Sequence, residues 1–425
     1  MMMPTRGGRA RGVPDVKPQG YESARRSGIL DRTMHKVFLR LGTMGALFTL
    51  PLSAAIWSGC SSSSDDPATT DTPDAGPEAA THDVYVAPVD AAPEAAPPGR
   101  DCAADVQADG LQQHLDCTGL YSDFATKAVA AENKLYTPGV TFWSDDAEKS
   151  RYFYLPPGAK IDIANFDEWK FPNGTKVWKE FRLGGKRVET RLYLKAKDSW
   201  RHTTYRWNAA ETDAVRKDDG ARITVAGMPD YEVPNTGQCD ACHAGKTEPL
   251  LGIEAIGLGL PTAQGVTLAS LAADGRFSVA PPTTTITIPD DGTTKAAPAL
   301  GWLHANCGAC HNNSSGAGAV FTGQFLMLRP SQLLPDAGVA TVQDLDTWKT
   351  AVNKNSTRTD VDAGVPYKRI AGGDPAHSLV SILSGRRVTG TDEPNPLVQM
   401  PPLVTRKVDT AGHALLDAWI TVIPP

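Results

Sequence analysis

Two strings in this chain carry residue types at a spacing that could do chemistry: Cys239-Asp-Ala-Cys242-His243 and Cys307-Gly-Ala-Cys310-His311. Two thiols three positions apart can each form a thioether with one of the two vinyl groups of a single porphyrin. The adjacent histidine then offers an imidazole nitrogen to the iron. Cys-x-x-Cys-His is therefore the spacing of c-type haem attachment. A Cys-x-x-Cys pair by itself also serves as a zinc site or a redox dithiol. Zinc would take Cys239, Cys242, Cys307 and Cys310 as one tetrahedral set, and neither histidine would be needed. Two complete pentapeptides in one chain point to two c-type haems, with His243 and His311 as axial ligands of the iron.

The second site can be completed from the chain that follows it. Class I cytochromes place a first helix ending in the haem string, then loops, an axial methionine and a last helix. Here 302–310 reads as the first helix. Residues 410–422 read as the last, with apolar Ala411, Ala414, Leu415, Ala418 and Trp419. Between them Gln399-Met400-Pro401-Pro402 supplies Met400 as the sixth ligand, in a loop held extended by proline's fixed φ. A core methionine is the other reading of Met400. Trp302 and Trp419 are expected to pack where the two helices cross.

The first site has no such partner, because residues 244–303 contain neither Met nor His. Its candidate distal ligands are Met228, before Cys239, and His304, on the same helical face as His311. His202, Met327, His377 and His413 are further candidates.

The other three of the seven cysteines are Cys60, Cys102 and Cys117. Cys60 closes an apolar segment, 41–57, that holds no charge and is too short and too interrupted by glycine to read as a spanning helix. If Met34 is the start, His35, Lys36 and Arg40 form a short positive region before it. The ending Ile56-Trp57-Ser58-Gly59-Cys60 resembles a bacterial lipoprotein signal, with Cys60 as the lipidated residue; Trp57 stands where leucine is usual. An uncleaved anchor and an ordinary signal peptide are the alternatives. Arg25-Arg26 fits a twin-arginine signal poorly, and haem attachment normally follows export of an unfolded chain. Cys102 and Cys117 are a candidate disulfide in an exported chain, against a reading as two free thiols.

The elements that must position these residues fall into five stretches. Residues 1–60 are a basic N-terminus and the lipoprotein-type signal. Residues 61–100 are an acidic linker rich in Pro, Ala and Asp, with too little apolar surface to offset the entropy of ordering. Residues 101–235 read as a mostly β domain. Its strand signals lie at 151–155, 176–183, 187–195, 203–208 and 222–225, separated by turn residues; a short helix is expected at 122–131. Residues 236–298 hold the first haem string, with short helices at 254–260 and 267–274. Residues 299–425 read as a class I-like cytochrome c domain. The fold expected is α+β: a mostly antiparallel β domain followed by α-helical cytochrome c-type haem segments.

Hydrophobic residues make up 41% of the 425, enough for real cores but too few for a multi-span membrane protein. The formal net charge of −6, with no basic block, argues against nucleic acid as a partner.

From about 118 to 422 the chain resembles bacterial dihaem c-type cytochromes with an N-terminal β-rich region, often described as cytochrome c-like repeat proteins. The resemblance rests on Thr141-Phe-Trp-Ser-Asp-Asp-Ala-Glu-Lys149, Phe171-Pro-Asn-Gly-Thr-Lys-Val-Trp-Lys-Glu-Phe181, Val188-Glu-Thr-Arg-Leu192, Tyr205-Arg-Trp-Asn208, the stretch 233–243, Leu303-His-Ala-Asn-Cys-Gly-Ala-Cys-His-Asn312, Gly373-Asp-Pro375 and Met400-Pro-Pro-Leu403. It implies covalent haem and electron transfer to and from redox partner proteins, and names no substrate. With the signal, it implies a periplasmic protein held at the outer membrane through a lipid anchor; Ser61 after Cys60 resembles outer-membrane sorting. An electron-transfer protein is thus expected rather than an enzyme. The alternative is a dihaem peroxidase-like oxidoreductase with one open-coordination haem, for which Glu248 and Glu254 are the nearest carboxylates. A third reading makes Trp143, Trp169, Trp178, Trp200 and Trp207 an aromatic platform for a surface partner or carbohydrate, against a place in the core.

Overall fold

The computed structural model describes residues 99–225, 228–336, 339–358, 360–388, 395 and 398–425. These belong to one compact unit, 77–425. The signal-like segment, Cys60 and the acidic linker up to 98 lie outside the described residues.

The protein is an α+β molecule built on an antiparallel sheet. In chain order its strands are β1 (Tyr121–Asp123), β2 (Ala128–Val129), β3 (Lys134–Thr137), β4 (Glu148–Tyr154), β5 (Lys176–Leu183), β6 (Lys186–Ala196), β7 (Ser199–Trp207), β8 (Ala214–Arg216), β9 (Ala221–Val225), β10 (Met228–Val233) and β11 (Gln264–Gly265). The main sheet has seven strands in the order β11-β3-β4-β5-β6-β7-β8, while β1–β2 and β9–β10 pair separately. The expected strands are all present. Gly184 and Gly185, both at positive φ, make the tight turn between β5 and β6; such primed turns match the twist of the flanking strands.

The helix expected at 122–131 is instead the hairpin β1–β2. The Asp123 carboxylate accepts from the backbone N–H groups of Ala125 and Thr126 and so closes a turn. Aspartate's short side chain competes with helical backbone bonding in this way.

The helices are α1 (Thr236–His243), α2 (Ala255–Gly259), α3 (Leu268–Ala273), α4 (Ala296–Asn306), α5 (Pro330–Leu333), α6 (Asp346–Ala351), α7 (Leu379–Ser384) and α8 (Thr410–Val422). α4 begins earlier than the sequence suggests and stops just before Cys307; Pro298 sits in its first turn, where a missing N–H costs nothing. α4 and α8 pack together. Trp302 and Trp419 share the core there, as expected. At the crossing, a Cβ on Gly412 would overlap the Trp302 indole, so only glycine permits the approach. The indole N–H of Trp302 donates to Asp409 at 2.8 Å.

The sheet has two working faces because side chains alternate along a strand. One face buries Trp178, Leu192, Tyr205 and Trp207 against Leu111, Leu115 and Leu120 of the N-terminal segment. The other buries Phe153, Val177 and Tyr193 against Leu250, Ile253, Ile256 and Leu258 and, beyond them, Leu300, Leu303, Trp419 and Ile420. The boundaries at 235/236 and 298/299 therefore mark changes in chain character, not breaks in the core: β11 itself pairs with β3. Trp169, Trp178 and Trp207 are buried, and Trp143 and Trp200 are partly buried with their indole N–H groups bonded to Lys407 and Glu248. The first three are core residues, and the five do not form one exposed aromatic platform. Among the described residues no helix is long and apolar enough to cross a membrane.

Candidate functional site

The first string lies on α1. Asn235 and Gln238 form a reciprocal capping box at its start, which satisfies two otherwise orphaned donors and fixes where the helix begins. Cys239, Cys242 and His243 then fall on its second turn. Cys239 is buried, and burial pushes its thiol up to about 11, with Arg191 opposing. The His243 Nδ1 meets the Pro249 carbonyl oxygen, which leaves Nε2 as the uncommitted nitrogen. Burial, reinforced by Lys179, holds the His243 imidazole well below its ordinary pKa, so the ring is neutral. It stacks on Tyr193 at 4.7 Å, and Tyr193 stacks on His202 at 5.0 Å. Tyr193 and His202 face each other across β6 and β7. Both histidines line one open cleft of about 370 Å³ with Trp200, Asp240 and Lys246.

The second string follows the end of α4. The Asn306 amide holds that end, donating to the Trp302 and Thr141 carbonyls and accepting from the Trp143 N–H. The chain then turns, with His311 N–H on the Cys307 carbonyl at 2.9 Å and Asn312 bonded back to Gly308 and Ala309. Burial lowers the His311 pKa to about 4 and raises the Cys307 thiol to about 12. The His311 Nδ1 is buried without a hydrogen-bond partner.

The fold brings the two strings into contact. Cys242 and Cys310 lie close enough to act on one another, which raises Cys242 well above its ordinary pKa and lowers Cys310. Cys310 Sγ also meets the Ala241 carbonyl at 3.5 Å. Backbone meets backbone on both sides of this contact: a Cβ on Gly245 would overlap the Ala309 carbonyl oxygen, and one on Gly316 that of Ala244. The four cysteines of the strings are free thiols. Among the described residues no group of three or more His, Cys, Asp or Glu side chains is arranged to hold a metal ion, so the tetrahedral zinc set is not assembled. A redox dithiol works through a thiolate of depressed pKa; three of these four thiols are shifted the other way.

The remaining expected residues are placed as follows. Met400 sits partly buried beside Leu379 and Leu383, and its N–H donates to the Leu383 carbonyl at 2.9 Å. It is connected to the second string through Arg387, which donates to the Met400 carbonyl and whose charge acts on the Cys307 thiol. Met327 lies beside Gly308. Met228 is buried in a small cluster with Phe181, Val188 and Tyr231. His304 is spoken for at both ring nitrogens: Nδ1 accepts from the Leu328 N–H at 3.1 Å and Nε2 faces Glu254 at 3.5 Å. Neither of the two favoured distal candidates is brought beside His243; His202 lies across Tyr193 from it, its Nε2 facing the Thr236 carbonyl and Asp240 at 3.4 Å. His377 and His413 pair with Asp374 and Asp417. Glu248 is bound by Lys195 and Trp200, and Glu254 caps α2, so neither carboxylate is free for acid–base work. Cys102 and Cys117 form a disulfide.

Compared with protein-family models, with curated proteins and with solved structures, the chain matches none.

Proposed function

We propose that this protein is an exported dihaem c-type cytochrome that carries electrons between partner proteins. The observation that carries the proposal is the contact of two complete Cys-x-x-Cys-His strings, each ending in a partly buried, neutral histidine. Bound there, haem iron supplies one-electron redox chemistry. Cys239 and Cys242 would hold one group and Cys307 and Cys310 the other, each thiol adding across a vinyl double bond. The Pro249 carbonyl orients His243 so that Nε2 faces outward as a ligand and gains basicity. His311 presents a partly buried, neutral ring to the second site.

Because Cys310 packs against Ala241, beside Cys242, the two attachment edges lie side by side. An electron entering at one site then has a short way to the other, and the two sites can serve two partners. Met400 remains the proposed sixth ligand of the second site. At the first, His202 is the histidine that the fold places across Tyr193 from His243. The Cys102–Cys117 disulfide supports an oxidising, extracytoplasmic compartment, consistent with lipidation at Cys60 and anchorage to the outer membrane.

The test is haem stoichiometry. Protein matured with its periplasmic machinery should carry two haem masses that survive denaturation and acid extraction. Cys242→Ser should weaken attachment at one site and leave the other loaded. Isolation of the chain with zinc and no Soret band would refute the proposal.

A further inference from the structure

Cross-strand register on the inner face of the sheet aligns Arg151 of β4 with Lys179 of β5, and Lys179 with Arg191 of β6. Like charges directly opposite one another destabilise a sheet, and burying an unpaired charge costs more still. Arg191 is compensated by a two-pronged bond to Glu189 at 2.6 and 2.9 Å. Arg151 and Lys179 are not. Among the described residues neither makes a hydrogen bond or an ion pair; each approaches the Phe142 ring, at 5.9 and 6.0 Å, with the buried Tyr136 hydroxyl within electrostatic reach of Arg151 and the Cys239 thiol within that of Lys179.

The neighbouring anions are committed elsewhere. Glu189 serves Arg191 and Tyr231. Asp145 accepts from the backbone of Arg406 and Lys407, and Asp409 from Trp302 and Gly412. Lys149, next on the same face, donates to the Phe142 carbonyl. Arg151 itself is only 7% exposed. Lys179, mid-strand, is half-buried. The row lies between two apolar clusters, Val177 and Tyr193 on one side and Phe181 on the other. Above it stands α1: Lys179 acts electrostatically on Cys239 and His243, and Arg191 on Cys239 and Cys242.

We infer that Arg151 and Lys179 are a carboxylate-binding site in the wall of the sheet, and that its occupants are the two propionate groups of the haem carried by Cys239 and Cys242. The inference rests on the dihaem reading above and gives the sheet a task within it. Two unpaired cations meet two carboxylates, so each of them gains an opposite charge. The guanidinium of Arg151 suits a two-point bond to one carboxylate, and the ammonium of Lys179 a single-point bond to the other. A free inorganic anion shares this chemistry, and the experiment separates the two.

The experiment takes the full-length, haem-loaded protein and follows the reduction potential of each haem from pH 4.5 to 8, with and without sodium sulfate, in wild type, Lys179→Met, Arg151→Met and Lys179→Arg. In wild type both carboxylates stay ionised and paired, and the first haem's potential should be flat with pH. In Lys179→Met an uncompensated propionate should lower that potential as it ionises, so a pH-dependent fall appears at the first haem alone. Lys179→Arg should restore the flat profile. Loss of the first haem in Lys179→Met, restored by Lys179→Arg, counts equally for the site; loss that Lys179→Arg does not restore counts against it. Unchanged potentials and profiles in both Met variants overturn the inference. So does a sulfate-induced shift in wild type that Lys179→Met abolishes, because the cations would then be open to a free anion. Absence of covalent haem from wild type sinks the dihaem reading itself, and is seen before any variant is made.

Discussion

At the scale of single residues, His304 shows how a fold can commit a histidine that spacing leaves open. His304 shares a helical face with His311, yet the Leu328 N–H fixes Nδ1 as an acceptor and so places the ring proton on Nε2, toward Glu254. No lone pair is left for iron. His304→Gln is expected to leave both haem spectra unchanged and to cost about 1–3 kcal/mol in denaturant unfolding, the range for stranding buried polar groups. Met228→Leu should likewise leave the spectra alone. His202→Ala should convert the first haem to a high-spin form, read by optical and EPR spectroscopy; a spectrum identical to wild type would remove His202 as a ligand. Glu254 is the acid-sensitive member of the same neighbourhood. Burial raises its pKa, but the hydrogen bond from His304, the Lys246 charge and the Ile256 N–H together outweigh it and bring the group down to about 2. A carboxylate depressed in the folded state stabilises above its unfolded pKa of about 4.3, and that contribution is lost as pH falls through the folded value. Glu254→Gln should therefore lower stability at neutral pH, on the order of 2 kcal/mol, and flatten the loss of stability between about pH 4 and 2.

At the scale of elements, what was legible depended on how local the code is. Cys-x-x-Cys-His is contiguous, so both strings stand out in the sequence. The strands announce themselves through β-branched and aromatic runs between glycine turns, as at Gly184-Gly185. The hairpin at Asp123 was misread as helix because an aspartate turn and a helix start share the same residue types. The stacking of Tyr193 on both His202 and His243 is not legible in the sequence, because it depends on the register of β6 against β7 and on α1 docking over that face. The glycines at the junction of the two strings carry a comparable message that no local pattern reveals. Gly245→Ala would drive a methyl group into the Ala309 carbonyl. It should lower the melting temperature and, in loaded protein, weaken the mutual influence of the two haem potentials, measured by stepwise redox titration. An alanine variant with unaltered stability and potentials would mean that the strings do not pack as closely as described.

At the scale of the molecule, the N-terminal segment acts as a strap over the outer face of the sheet, and the disulfide closes it. Cys102 and Cys117 are separated by 15 positions, a loop whose closure contributes about 3 kcal/mol by chain entropy. The double variant Cys102→Ser, Cys117→Ser should lose an amount of that order in equilibrium unfolding and keep two haems. The strand lengths carry a further consequence. The long strands are central, with 8, 11 and 9 residues in β5, β6 and β7, whereas the rims end in three residues at β8 and two at β11. An isolated bridge from His114 to Val215 occupies part of the β8 rim. Open sheet rims are where chains recruit one another into fibrils, and short or covered rims deny the template. This protein keeps its most adhesive backbone in the middle of the sheet, so copies crowded on a surface would meet through side chains and stay separate molecules.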